Sequence, residues 1–236
     1  MANDKVISTS ALIAKFEEAL RDDWGYIWGT AGETWTAAKQ ASATREQTVL
    51  YGKKWIGHKV ADCSGLFSWA FKQLGGYMYH GSDTMFRKYT TRSGTLKNGK
   101  RTDGKELLPG TAVFVWKEKD QKYGHVGLYI GNGWVIEAAS TKDGVIKTNV
   151  SASKWSHWGE LKGVNYEGGD EPVEKGYAEV TGKRVALRED PSLRATIIMR
   201  IDTGETVKLE DPPKEWDYVS YKGKKGWMMR EFLKEG

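Results

Sequence analysis

One cysteine stands among the 236 residues, in the tetrapeptide Asp62-Cys63-Ser64-Gly65. A thiol attacks carbon only as a thiolate, so its surroundings decide whether it does chemistry. Leu66, Phe67, Ala70, Phe71 and Leu74 follow at helical spacing, and Gly75-Gly76 ends the run. That pattern predicts a helix with Cys63 in its first turn. Unpaired N–H groups and the helix dipole favour negative charge there, so the thiol is expected to ionise below its free value of about 8.5. The competing role for a lone cysteine is that of a small buried hydrophobe.

A base and a carboxylate occur together in a second stretch, Gly124 to Ala138, which holds His125 and Glu137 around a Gly131-Asn132-Gly133 turn. Alternating residues on either side of that turn predict a hairpin. A three-residue loop sets Ile130 opposite Trp134, Leu128 opposite Ile136 and Val126 opposite Ala138, which collects the large apolar side chains on one face. The other face then carries His125, Gly127 and Tyr129 opposite Ala139, Glu137 and Val135. A two-residue loop would put Glu137 beside Leu128 on the core face, which a sheet avoids. In the first register Glu137 is diagonal to His125, roughly 7 Å away at the backbone, and Gly127 leaves room between them. Thiol, imidazole and carboxylate are the nucleophile, base and orienting group of acyl transfer. The alternative for this face is an exposed polar surface with no role.

The sequence motifs resemble those of the NlpC/P60 family, papain-like cysteine peptidases that cut bacterial peptidoglycan. The resemblance rests on Asp-Cys-Ser-Gly-Leu, Leu107-Leu108-Pro109-Gly110, Gly-His-Val-Gly-Leu-Tyr-Ile-Gly-Asn-Gly and Val-Ile-Glu-Ala in that order. Trp24-Gly25-Tyr26-Ile27-Trp28-Gly29 is similar to the family's Tyr-x-Trp-Gly segment. It covers most of residues 12 to 165. It implies an α+β papain-like catalytic domain over residues 1–167, with Cys63, His125 and Glu137 catalytic. It also implies that Tyr26, Asp62 and Ser64 bind the stem peptide. A carboxylate and two hydroxyls suit the free amine of a peptide that begins with L-alanine, while Asp62 and Ser64 also suit a helix cap and Tyr26 core packing. The implied reaction is hydrolysis of the γ-D-glutamyl–diamino acid bond without a cofactor or metal. The family more often has His, Asn or Gln where Glu137 stands; a carboxylate there favours the imidazolium and moves the pH optimum upward. A CHAP-type amidase or cross-bridge endopeptidase, and a non-catalytic wall-binding protein, are the other classes this pattern allows.

Composition bounds these readings. The chain is 39% hydrophobic and 28% charged with a net charge of +5, which is globular. Residues 1–168 carry 23 Lys+Arg against 17 Asp+Glu, and the remainder 13 against 14. A basic first part suits an anionic polymer such as the bacterial wall, and no nucleic-acid motif accompanies it. One cysteine excludes an intramolecular disulfide and a multi-cysteine zinc site, and His58, His80, His125 and His157 show no metal-ligand spacing. No secretory signal is legible near the start, where Ala11 to Leu20 reads as an amphipathic helix, and no apolar run reaches membrane-spanning length. Release from a phage-infected cell, or secretion, would bring such a chain to the wall; neither nucleic acid nor membrane is expected as a partner, and the chain is expected to be a monomer.

The elements that must position the site follow in order. Residues 11–24 read as a helix, and residues 30–60 as an insert with a helix-prone part near Thr36 to Leu50. Trp35 and Trp55 there are expected to pack and His58 to be exposed. Thr90 to Lys105 reads as a basic loop or hairpin, Ala112 to Trp116 as a buried strand and Gly144 to Val150 as another, with Trp155, Trp158 and Val164 closing the domain. Residues 168–176 are Gly-, Pro- and acid-rich, a linker by composition. Residues 177–236 show short alternating runs at Tyr177–Val180, Val185–Arg188, Ile197–Arg200, Val207–Leu209, Tyr218–Tyr221 and Gly226–Met229. Val185-Ala-Leu-Arg-Glu-Asp-Pro-Ser192, then Thr203-Gly-Glu-Thr-Val207, then Trp216 and Gly226-Trp227 resemble a bacterial SH3 domain, which implies a small all-β barrel that binds wall peptides or covers the catalytic cleft.

Overall fold

A computed structural model of the protein describes residues 6–152, 154–166, 177–209 and 216–235. The chain divides into two compact units, Met1–Gly169 and Asp170–Gly236. The expected linker, residues 168–176, lies outside the described residues.

The first unit opens with β1 (Ile7–Ser8) and α1 (Thr9–Arg21), followed by β2 (Ala31–Thr34), α2 (Ala37–Ala41), α3 (Glu46–Tyr51) and β3 (Lys59–Ala61). Then come α4 (Cys63–Gln73), α5 (Ser82–Tyr89), β4 (Thr90–Lys97), β5 (Lys100–Arg101) and β6 (Ala112–Lys117). The unit closes with β7 (Lys122–Gly131), β8 (Trp134–Ser140), β9 (Gly144–Asn149), β10 (His157–Leu161) and β11 (Val164–Asn165). Among the described residues, seven strands form one sheet in the order β5-β4-β10-β6-β7-β8-β9. Every pairing in it is antiparallel.

Alternation along β6 explains how both faces of this sheet are covered. Ala112 and Phe114 join the cluster with α1 and α4, whereas Val113 and Val115 join a second cluster with Trp155, Trp158 and Leu96. A strand buried on both faces reads as a continuous apolar run, and Ala-Val-Phe-Val is one. α1 starts where the Ser8 hydroxyl accepts the Ala11 N–H, and it buries Leu12, Phe16 and Ala19. α4 starts where Asp62 accepts the Ser64 and Gly65 N–H groups, and it buries Leu66, Phe67, Ala70 and Phe71. The two helices meet through Phe16 and Phe67, whose ring centroids are 4.6 Å apart at 67°. Each such side chain removed from water contributes about 1.5–3 kcal/mol. α4 ends at Gly75, φ +80°, with the Gly76 N–H donating to the Phe71 carbonyl at 2.8 Å. That is a left-handed stop which a glycine makes without strain.

The insert is a two-stranded antiparallel ribbon, β2 with β3, bridged by α2, α3 and a 3₁₀ turn at Gly52–Trp55. Trp35 and Trp55 are buried with Ile27 and Val60, and the His58 ring is 37% exposed. The Trp55 indole N–H donates to the Thr141 carbonyl at 2.7 Å, which ties the insert to the β8–β9 turn. The basic stretch after residue 90 is a hairpin, β4 with β5, and β4 is a strand of the main sheet. α5 was not legible in the sequence: it has a single fully buried apolar residue, Met85, and Arg87 and Lys88 in its last turn.

The hairpin around Asn132 differs from expectation at its tip. Leu128 faces Ile136 and Tyr129 faces Val135, but Gly131, not Ile130, pairs with Trp134, and the register shifts between Tyr129 and Gly131. Asn132 and Gly133 have φ of +51° and +79°, so a two-residue turn closes the hairpin. The irregularity at Ile130 absorbs the extra residue, and the pairing deeper in the sheet is kept.

The second unit is all-β. Its strands are β12 (Tyr177–Val180), β13 (Val185–Arg188), β14 (Ile197–Ile201), β15 (Thr206–Leu209), β16 (Trp216–Tyr221), β17 (Lys224–Met229) and β18 (Leu233–Glu235). Their order is β14-β13-β17-β16-β15-β12-β18. Ala178, Val180, Val185, Leu187, Ile201, Val207, Val219 and Met228 form its core.

Candidate active site

Cys63 is the first residue of α4 and is buried. The Asp62 carboxylate builds this corner. Its Oδ1 accepts the Ser64 N–H, the Ser64 hydroxyl and the Gly65 N–H at 3.1, 3.1 and 2.7 Å. Its Oδ2 accepts the Gly29 N–H and His80 Nε2, both at 2.8 Å. Burial alone would raise the Asp62 pKa, but these hydrogen bonds and the His80 charge hold it below the ordinary value. The same pair raises His80. Gly65 cannot be larger, because a Cβ there would collide with the Thr30 carbonyl oxygen. Asp62 therefore caps the helix and also ties it to the Gly29 turn and to His80.

The thiol itself corrects an expectation. Burial pushes Cys63 up to about 12, and the neighbouring Asp62 carboxylate adds to the rise. Backbone N–H groups of Val126, Ser64 and Cys63 act in the opposite direction and do not outweigh burial. The helix N-terminus is thus insufficient to ionise this thiol: Asp62, which caps it, takes two of its N–H groups and brings a negative charge.

His125 and Glu137 meet as the diagonal placement anticipated. His125 Nε2 donates to Glu137 Oε2 at 2.6 Å, which leaves Nδ1 as the nitrogen able to take a proton. The thiol is held against the backbone N–H of Val126, the residue after His125. Gly127 makes the approach possible: a Cβ there would lie 2.6 Å from Val135 Cγ1 and 2.8 Å from Trp155 Cη2. The face is not an open polar surface. Glu137 is fully buried and the His125 ring stacks on Trp155, centroids 5.7 Å apart at 20°.

Two partners of Glu137 were not read from the sequence. Thr148 Oγ1 donates to Oε1 at 2.6 Å, and Lys154 Nζ lies 2.6 Å from each carboxylate oxygen. Burial would raise the Glu137 pKa, but hydrogen bonds from His125, Lys154 and Thr148 bring it down to about 2. Lys154 sits in Ser151-Ala-Ser-Lys-Trp, where no periodicity marks it. Thr148 could have been found by extending the strand register one strand further, since β9 pairs with β8. His80 was likewise passed over, as part of an irregular segment.

Tyr26 packs against the main core, and burial, with the nearby Cys63 and Asp62, pushes its hydroxyl pKa up. Tyr26, Asp62, Cys63 and Ser64 therefore share one corner, while His125 and Glu137 come from the sheet. Among the described residues no group of three or more His, Cys, Asp or Glu side chains is placed to hold a metal ion. No described helix is long and apolar enough to cross a membrane.

A thiol on a helix N-terminus and an imidazole–carboxylate pair on an antiparallel sheet are the parts from which a cysteine hydrolase is built. The chain belongs to the NlpC/P60 family, whose model matches residues 26–160, and residues 183–234 match the bacterial SH3 domain. No curated protein matches the chain. Similar solved structures include NlpC1 from Trichomonas vaginalis, 19% identical over 65% of this chain and 43% of that one, TM-score 0.42. The peptidoglycan hydrolase RipB from Mycobacterium tuberculosis is 19% identical over 67% of this chain and 65% of that one, TM-score 0.41. A P60 domain from M. avium subspecies paratuberculosis is 18% identical over 64% and 93%, TM-score 0.41. The chain spans less than half the length of the two T. vaginalis structures, NlpC1 and NlpC2.

Proposed function

We propose that this protein is a peptidoglycan hydrolase that cuts the γ-D-glutamyl–diamino acid bond of stem peptides, with Cys63 as nucleophile, His125 as base and Glu137 as its orienting carboxylate. The observation that carries this reading is the 2.6 Å bond from His125 Nε2 to the buried Glu137, which leaves Nδ1 to take a proton, with the Cys63 thiol held against the backbone N–H of the next residue, Val126. A thiol this reluctant to ionise alone loses its proton to His125 Nδ1 as it attacks the amide carbon. The carbonyl oxygen becomes an oxyanion facing the Cys63 N–H, the N–H at this corner that Asp62 does not take. His125 then protonates the leaving amine, and the C–N bond breaks to give a thioester. Water, deprotonated by His125, attacks the thioester; the carboxylic acid leaves and the thiol is restored.

Tyr26, Asp62 and Ser64 form the wall that receives the peptide's amino-terminal side. Asp62 meets an incoming amine already paired with His80, so a free α-amine takes over a hydrogen bond that His80 donates to the carboxylate. The bacterial SH3 domain adds affinity for the wall, where the enzyme acts as a monomer.

The test is mass spectrometry of purified peptidoglycan digested by the wild type and by Cys63→Ala. The expected result is L-Ala–D-Glu ends and a new free amine on the diamino acid, from the wild type alone. Cleavage at the sugar–peptide bond or in the cross-bridge would replace this reading by an amidase or cross-bridge endopeptidase. Binding by both proteins with no product from several wall types would leave a wall-binding protein.

A further inference from the structure

Glu137 has a second basic partner besides the histidine it orients. Lys154 Nζ lies 2.6 Å from both of its oxygens, and His125 Nε2 lies 2.6 Å from one of them. The two nitrogens are thus within about 5 Å of each other across one carboxylate, a range at which charges interact strongly. The titratable groups packed against Glu137 are His125, from β7, and Lys154, from the segment before β10; Thr148, from β9, is not titratable. On the thiol side, Asp62 faces Cys63 from the cap of α4. Lys154 Nζ also stands 4.7 Å from the centre of the Trp155 ring on which His125 stacks. One short segment therefore grips both the carboxylate and the imidazole.

We propose that Lys154 is a positioning residue of this site: it holds Glu137 in place and offsets its charge, so that Glu137 orients His125 for proton exchange with Cys63. The inference rests on the reading of Cys63 and His125 as the reacting pair. Without the ammonium group, the buried carboxylate would keep Thr148 as a neutral donor, with no cation to offset its charge, and would favour the imidazolium of His125. A carboxylate in place of the His, Asn or Gln more usual in the family by itself moves the pH optimum upward; Lys154 counters that shift. Unit charges about 5 Å apart move each other's pKa by roughly 0.6 in water and about 2 at the screening typical of protein surfaces. Lys154 is 39% exposed, which puts the expected effect at about one pH unit.

The lone cysteine makes the experiment clean. Alkylation of Cys63 by iodoacetamide is followed by intact mass across pH 4–11 in the full chain for the wild type, Lys154→Met, Lys154→Gln and Lys154→Arg. The pH profile of kcat/KM on peptidoglycan fragments is measured beside it. The readout is the inflection that precedes the thiol's own. The expected result is that this inflection moves up by about one unit in Lys154→Met and Lys154→Gln, and returns toward the wild-type position in Lys154→Arg. Lys154→Gln keeps a hydrogen-bond donor and decides the matter if Lys154→Met does not fold. An unmoved inflection with only a lower rate would overturn the proposal and leave Lys154 a structural group. A wild-type profile with no inflection below the thiol's own would show that Cys63 and His125 are not coupled, and the proposal would fall with that reading. A normal inflection with a different scissile bond would revise the substrate and leave the role of Lys154 standing.

Discussion

Replacing Glu137 by Gln keeps the side chain's size and removes its charge, and its effect on stability should depend on pH in a specific way. The Glu137 pKa is about 2 in the folded protein against an ordinary 4.5. A depressed carboxylate pKa contributes stability that is fully present above the unfolded value and is lost as pH falls through the folded value. The difference of about 2.5 units corresponds to about 3 kcal/mol, present above pH ~4.5 and gone below pH ~2. Glu137→Gln should therefore be less stable than the wild type by about 3 kcal/mol at pH 7, and the gap should close as the pH approaches 2. Urea unfolding followed by tryptophan fluorescence measures it. Nine of the eleven tryptophans precede residue 167, so the signal reports mainly on the first unit. A gap that stays constant from pH 7 to pH 2.5 would refute the reasoning. It would mean that shape and not charge holds Glu137, and that the ion pairs to His125 and Lys154 contribute nothing net.

Two further outcomes follow from the geometry. Asp62→Ala should destabilise the first unit by about 1–2 kcal/mol through loss of the α4 cap, while Asp62→Asn recovers most of it because an amide oxygen can still accept the Ser64 and Gly65 N–H groups; thermal melts that leave Asp62→Ala unchanged would contradict the capping role. Gly127→Ala forces Val135 and Trp155 to move and should cost about 1–3 kcal/mol, with a larger proportional loss of hydrolysis than of stability, because Trp155 carries the His125 ring; full activity in a folded Gly127→Ala protein would count against that support.

Much of this molecule is legible in one dimension. Periodicity alone marks α4, because Leu66, Phe67, Ala70 and Phe71 must face one core, and Asp62 caps whatever helix follows it. Alternation alone pairs Leu128 with Ile136, because a one-residue slip would carry Glu137 to the core face, and so the diagonal approach of Glu137 to His125 is also in the sequence. The short runs after residue 177 become strands for the same reason. Tertiary structure decided three things that local pattern does not contain. Whether a helix N-terminus ionises a thiol depends on how much water the fold leaves beside it, and burial of Cys63 outweighed the dipole. The tip of the hairpin depended on the left-handed backbone at Asn132-Gly133, which let a bulge at Ile130 replace a longer loop. The partners of Asp62 and Glu137 come from 18 and 17 residues away in sequence, His80 and Lys154. Buried carboxylates must find cations or donors wherever the fold brings them, and no spacing rule in the chain announces which.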